Sequence, residues 1–302
     1  MPEFDAYLMV DWSARNEPMT GKDTVWYCML IRSEGRLWCC RLENPRTRRD
    51  AFTEISGLLA ENVGRCVATL VGFDFPYGYP RGFGSAIGLK DQQIPMWRQV
   101  WNLLSEKIED SEENISNRFG VAAELNKRIS GGCYPFWGCP KRFECRTLSR
   151  RKPLGRFKAE LPVKRLTEKR ESKTQPVWKL AYRGSVGSQA LVGIPHVARL
   201  REDTSLSKHS QVWPFETGLK KLPPRGERAW FVLHAEIFPS IIGVTPGKGE
   251  VKDAAQVRAL ARHFAQLDKK GQLSPLFEKP ADLCDEDRQT VEYEEGWILG
   301  VQ

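Results

Sequence analysis

The chain has 302 residues, 41% of them apolar and 28% charged, enough to bury one large core or a core carrying a big insertion. No run approaches the roughly 18 apolar residues of a membrane span. The acidic start Met1-Pro2-Glu3-Phe4-Asp5 leads straight into a strand, so no signal peptide is expected and a cytoplasmic location is the default. Net charge is +8 but uneven: Lys141 to Arg183 holds fifteen Lys/Arg against four Glu, a net of +11, which leaves −3 for everything else.

In chain order, Tyr7–Trp12 is short and apolar and reads as a buried strand. Thr24–Arg32 and Arg36–Leu42 are rich in β-branched and aromatic residues and meet at the turn Ser33-Glu34-Gly35. Ala51, Phe52, Ile55, Leu58 and Leu59 give Thr47–Asn62 the three-and-four spacing of an amphipathic helix, and Cys66–Phe73 is the next buried strand. Three antiparallel strands, a helix, and a strand able to lie beside the first are the opening of a ribonuclease H-like α/β fold. In that order Asp11 and Asp74, at the ends of the first and fourth strands, become neighbours.

From Pro76 to Leu206 the rhythm breaks. Phe75-Pro76-Tyr77-Gly78-Tyr79-Pro80 is a rigid turn. Ile94–Lys107, Glu113–Ile129 and Gln189–Arg201 read as helices, with a Gly/Cys/aromatic loop at Gly131–Pro140 and the basic segment between them. Strands resume at Gln211–Glu216 and Ala229–Phe238. Asp253–Lys269 is a helix with one apolar face, and Gly296–Val301 is a candidate closing strand. The expected organisation is a core of residues 1–75 and 207–302, a mixed sheet of three antiparallel strands followed by parallel ones, with a helical and basic insertion over 76–206.

Four acids mark the expected site: Asp11, Asp74 and Glu236 at strand ends, and Asp253 at a helix start. Carboxylate oxygens are hard ligands suited to Mg²⁺ or Mn²⁺, and two such ions about 3.5–4 Å apart stabilise both oxygens of an in-line phosphodiester displacement. Glu236 is embedded in an apolar run, where a charge is costly unless paired or ligated. Glu216 ends a similar run and competes for its role. His234, two residues from Glu236, shares its strand face; it reads as a proton-transfer group or as a hydrogen-bonded core histidine. Gly184 to Ser188 precedes a helix and offers amides to an anion, without a P-loop lysine.

The basic segment attracts polyanions. Lys141, Arg142, Arg150, Arg151, Lys152, Lys164 and Arg165 are its candidate nucleic-acid contacts, and Phe136, Trp137, Phe143, Phe157 and Trp178 are candidate stacking platforms. The alternative is a solvated loop. Of eight cysteines, Cys28, Cys39, Cys40 and Cys66 lie in apolar runs where buried free thiols are expected; Cys133, Cys139 and Cys145 are six apart, matching no common zinc pattern, and disulfides are not expected in a reducing compartment.

Val-Asp-Trp-Ser at 10–13, Gly-Phe-Asp-Phe-Pro at 72–76, Ala-Glu-Ile-Phe-Pro-Ser at 235–240, Lys-Asp-Ala at 252–254 and Glu-Gly-Trp-Ile at 295–298 run in order along nearly the whole chain. In this the sequence resembles a bacterial domain-of-unknown-function family described as predicted nucleases of the ribonuclease H-like fold. The resemblance implies a metal-dependent nuclease with Asp11, Asp74, Glu236 and Asp253 as candidate ligands for Mg²⁺ or Mn²⁺. The long basic insertion and the extra strand at Glu216 depart from the family's minimal pattern. Three rival readings stand beside it: a non-catalytic nucleic-acid or protein binding module on the same fold, a phosphotransferase of the actin-like ATPase class, and a small-molecule enzyme linked to cobalamin metabolism, a label carried by some chains with a similar Val-Asp-Trp-Ser opening.

Overall fold

The computed structural model describes residues 2–33, 35–90, 93–155 and 160–302. Six strands form one mixed sheet in the order β3-β2-β1-β4-β6-β5. They are β1 (Ala6–Asp11), β2 (Trp26–Ser33), β3 (Arg36–Glu43), β4 (Thr69–Phe73), β5 (Ser210–Val212) and β6 (Val232–Glu236). β1, β2 and β3 are antiparallel neighbours; β4 runs parallel to β1, β6 parallel to β4, and β5 parallel to β6. The α-helices among the described residues are α1 (Arg48–Gly64), α2 (Phe83–Ala86), α3 (Met96–Lys107), α4 (Arg118–Ser130), α5 (Leu166–Arg170), α6 (Gly187–Glu202), α7 (Lys252–Lys269) and α8 (Asp285–Thr290). No helix among them is long and apolar enough to cross a membrane.

Alternation along the central strands sorts their side chains onto two faces. Ala6, Leu8 and Val10 share a face with Val71, Phe73 and Val232, and pack with Ala51, Ile55 and Leu59 of α1 and with the insertion helices α3, α4 and α6. Tyr7 and Met9 share the other face with Leu70, Leu233 and Ala235, and pack under Val257, Leu260, Ala261 and Phe264 of α7. The insertion therefore shares one continuous core with the first sheet face. Gly72 leaves the room over β4 that the side chains of Ile237 and Met9 occupy, since a Cβ there would meet both.

Most boundaries shift by a few residues for identifiable reasons. α1 begins after Thr47, whose hydroxyl accepts the Asp50 amide at 3.0 Å. The fourth strand starts at Thr69 rather than Cys66, where the chain takes a left-handed φ of 55°. α4 starts at Arg118 rather than Glu113, after a turn with Asn114 at φ 64°. β5 stops at Val212, short of the expected Glu216, because Pro214 cannot donate to a ladder and Glu216 folds back to Val212. The expected closing strand Gly296–Val301 does not form. It makes one bridge, Ile298 to Glu236, between Gly296 and Gly300, both at positive φ. The expected turn before β3 keeps Gly35 at φ 73°, while Glu34 lies outside the described residues.

Candidate functional site

Parallel pairing of β1 and β4 matches Val10 with Phe73, so the next residues, Asp11 and Asp74, emerge side by side. Both point to the α7 face, in alternation with Met9 and Gly72. The two carboxyls lie close enough for each to shift the other's protonation, and Asp74 Oδ1 accepts the Trp12 amide at 2.7 Å. Asp253, in the first turn of α7, faces the pair closely enough for its charge to act on both. Its Oδ2 accepts the amide of Asp23 at 2.7 Å.

The electrostatics follow from this crowding. Asp11 and Asp74 keep some surface open to solvent, yet loss of solvation raises both carboxyls. Asp11 is pushed well above the usual range, helped by the charges of Asp74, Asp253 and Asp23. Asp74 is pushed up to about 7 by burial, against the hydrogen bonds it receives. Asp253 is raised by burial, with Lys252 and Lys22 partly offsetting. Two adjacent carboxyls sharing one proton are a cation-deficient pair: a hard divalent ion can take the proton's place. Among the described residues no group of three or more His, Cys, Asp or Glu is arranged to hold a metal. Asp74 accepts the Trp12 amide and Asp253 accepts the Asp23 amide.

The loop after Asp11 is fixed from outside. The buried Arg48 reaches from α1 to the carbonyls of Ser13 and Arg15 at 3.1 and 2.7 Å, and pairs with both oxygens of Asp110 at 2.6 and 2.5 Å. Gln189 of α6 donates to the Trp12 carbonyl at 2.5 Å. Arg118 bonds Asn16 and Ser188. Sequence reasoning missed Arg48, Asp110 and Asp23. An arginine in the first turn of an amphipathic helix looks like a solvated charge, and Asp23 looks like a turn residue.

Glu236 does not join the three aspartates. It is paired in register with Phe73, one residue short of Asp74, so alternation turns it to the opposite face of the sheet, with His234. There Arg165, 0% exposed, binds it through both Nη atoms at 2.7 and 2.5 Å, and the Tyr77 amide adds a bond at 3.0 Å. Arg165 also binds Glu168 at 2.8 Å and the Glu295 carbonyl at 2.9 Å. Glu216, the competitor, accepts Arg201 Nε and the Val212 amide at 2.8 Å each. His234 is a core histidine: Ser210 Oγ lies 2.7 Å from Nε2, and burial pushes its pKa down to about 3, leaving it neutral. Gly184 to Ser188 spends its Gly187 amide on the Lys179 carbonyl.

The basic set divides. Lys141, Arg142, Arg150, Arg151 and Lys152 are exposed. Arg165 is the buried ion-pair centre, and Lys164 is half-buried with Nζ bonded to Glu168 O and Thr174 Oγ1 at 3.2 and 3.1 Å. Neither fits the expected contact with nucleic acid. Of the aromatics, Phe136 and Trp178 are core residues packed on Tyr79 and Phe83. Phe143 stacks on Phe119, Trp137 lies under Lys179, and Phe157 lies outside the described residues. The unforeseen aromatic is Tyr182, 55% exposed, which with Glu144, Ser149, Arg150 and Arg151 lines a hollow of about 440 Å³.

Comparison with protein-family models, with curated proteins and with solved structures gives no match for this chain.

Proposed function

We propose that the chain is a metal-dependent nuclease on a ribonuclease H-like fold, with Asp11, Asp74 and Asp253 as the ligands of Mg²⁺ or Mn²⁺. The observation that carries the reading is the placement of Asp11 and Asp74 side by side at adjacent parallel strand ends, with the Asp253 carboxylate near enough for its charge to act on both. The donor set is all carboxylate oxygen, which suits a hard ion and not a soft one. When bound, such an ion supplies Lewis acidity to a phosphodiester and to the attacking water. The chain's own groups hold the three acids in place: the Trp12 amide fixes Asp74, the Asp23 amide fixes Asp253, and Arg48 fixes the loop between them.

The substrate side of the reading rests on the exposed Lys141, Arg142, Arg150, Arg151 and Lys152. Flexible cations of this kind neutralise backbone phosphates without reading sequence. Replacing both Arg150 and Arg151 by Ala is expected to weaken nucleic-acid binding. The slope of log affinity against log salt should fall by roughly one for each phosphate no longer neutralised, with Mn²⁺ binding unchanged. A salt titration of fluorescently labelled oligonucleotide binding measures it; an unaltered slope removes these arginines from the interface.

The metal reading is tested by titrating the protein with Mn²⁺, followed by electron paramagnetic resonance, and by incubating DNA and RNA with Mg²⁺, Mn²⁺ or a chelator. Binding displaces protons from the pair, so affinity rises as pH climbs through about 7, where Asp74 ionises, and goes on rising above it while Asp11, raised well above its usual range, still holds a proton. Cleavage that persists in chelator, or Mn²⁺ affinity that does not change from pH 5 to pH 8, contradicts the proposal. Nucleic-acid binding with no turnover under any metal supports the binding module instead.

A further inference from the structure

β3 is the outermost strand of the sheet beyond β2, and most of its residues are exposed; Trp38 is 57% exposed. Its pairing with β2 is interrupted. Met29 matches Arg41 and Leu30 matches Cys39, which leaves Cys40 as an extra, unmatched residue. Cys40 turns its thiol to the Met29 carbonyl at 3.2 Å. Cys39 falls on the same face as Cys28, diagonally across the bulge, and the two sulfurs lie 3.8 Å apart. Cys39 is exposed and Cys28 is buried.

We propose that Cys28 and Cys39 are a reversible dithiol–disulfide pair, oxidised by small-molecule disulfides. The geometry supplies what such a pair needs: one thiol open to solvent to attack the small disulfide first, and a second in contact with it to resolve the mixed disulfide. Burial and the neighbouring Cys39 and Cys40 sulfurs push the Cys28 thiol well above the usual range, and Arg262 of α7 offsets this only in part, so Cys28 stays a protonated thiol until it attacks. The Cys39 thiolate attacks one sulfur of oxidised glutathione, forming a mixed disulfide and releasing one glutathione, which takes up a proton. Cys28 then gives its proton to solvent as its sulfur attacks Cys39 Sγ, and the second glutathione leaves. Two protein thiols lose two electrons, and one glutathione disulfide becomes two thiols. The product staples the edge strand to β2, on the face covered by α7. This inference is independent of the nuclease reading.

The full chain, in its native state, is incubated with oxidised glutathione, quenched with an alkylating agent and digested without reductant for mass spectrometry. The expected product is one linked peptide pair joining Cys28 to Cys39, lighter by two hydrogens than the reduced peptides and released by dithiothreitol. Cys40→Ser keeps the link and Cys39→Ser loses it. Since Cys39 is exposed, that variant keeps its fold, and circular dichroism verifies this. A stable glutathione adduct on Cys39 with Cys28 still free, or a link through Cys40, overturns the proposal.

Discussion

If the proposed nuclease reading holds, Asp11→Asn is expected to abolish Mn²⁺ binding and to lower cleavage by at least about 10³-fold, because several kcal/mol of charge stabilisation would pass through the ion that this carboxylate would hold. The same substitution is expected to raise stability, and that opposition makes the result diagnostic. In the folded chain the pair of Asp11 and Asp74 retains a proton that unfolded carboxyls release near pH 4. With both folded pKa values raised, the folded state binds more protons than the unfolded state from about pH 4 through about 7, where Asp74 ionises, and beyond it through Asp11, so stability falls as pH rises across that range. Asn at position 11 donates an amide hydrogen to Asp74 without needing that proton. Its pH slope should be flatter, and its Tm at pH 8 higher by about 2 °C, equivalent to roughly 1 kcal/mol. Calorimetry between pH 5 and pH 8, beside a nuclease assay on the same preparation, gives both readouts. Full cleavage by the variant would refute the assignment; lost cleavage with a lowered Tm would mean that it had merely damaged the fold.

The strand order is legible in the sequence because it rests on period: the apolar runs at 7–12 and 66–73 are too short for helices, and the spacing of Ala51, Ile55 and Leu59 is too regular for anything else. That places Asp11 beside Asp74, and the apolar face of α7 places Asp253 on the side to which they point. Glu236 is misjudged from sequence because the end of a strand does not reveal its register. A shift of one residue turns a side chain to the other face, and β6 pairs Glu236 with Phe73 instead of Asp74. The cost of burying that glutamate is readable in the sequence, but the compensating charge comes from Arg165, 71 residues away, which looks there like one more polyanion contact. Cys39 and Cys40 are expected to be buried because their run is apolar. They are exposed because β3 is the outermost strand, and edge position depends on sheet order, which composition does not encode. Phe136 and Trp178 fail as stacking platforms for the converse reason: the insertion shares the main core, so its large aromatics fill it.

Arg165→Ala should destabilise the chain more than any single change at the aspartates. The guanidinium is fully buried and bonds Glu236, Glu168 and the Glu295 carbonyl, and through Glu236 it fixes the Tyr77 amide in the turn that follows Asp74. Burial works against its charge, but the two glutamates hold it firmly protonated. Burial outweighs the guanidinium for Glu236, whose pKa is raised even with its partner present. Such an arrangement adds little net stability over an apolar filling, but removing one partner strands the others, at a cost of about 3–5 kcal/mol. For a domain of this size that is a Tm loss on the order of 10 °C. Without Arg165 the folded-state pKa of Glu236 rises further, so the folded variant takes up protons that the unfolded chain does not, and its deficit shrinks as pH falls from 8 towards 5. Adding Glu236→Gln and Glu168→Gln to Arg165→Met removes the stranded charges and should recover part of the loss. Thermal melts of the single and triple variants at both pH values measure this, and salt-dependent nucleic-acid binding of the folded fraction should keep its wild-type slope. A reduced salt slope with an unchanged Tm would return Arg165 to the nucleic-acid surface and remove it from the core.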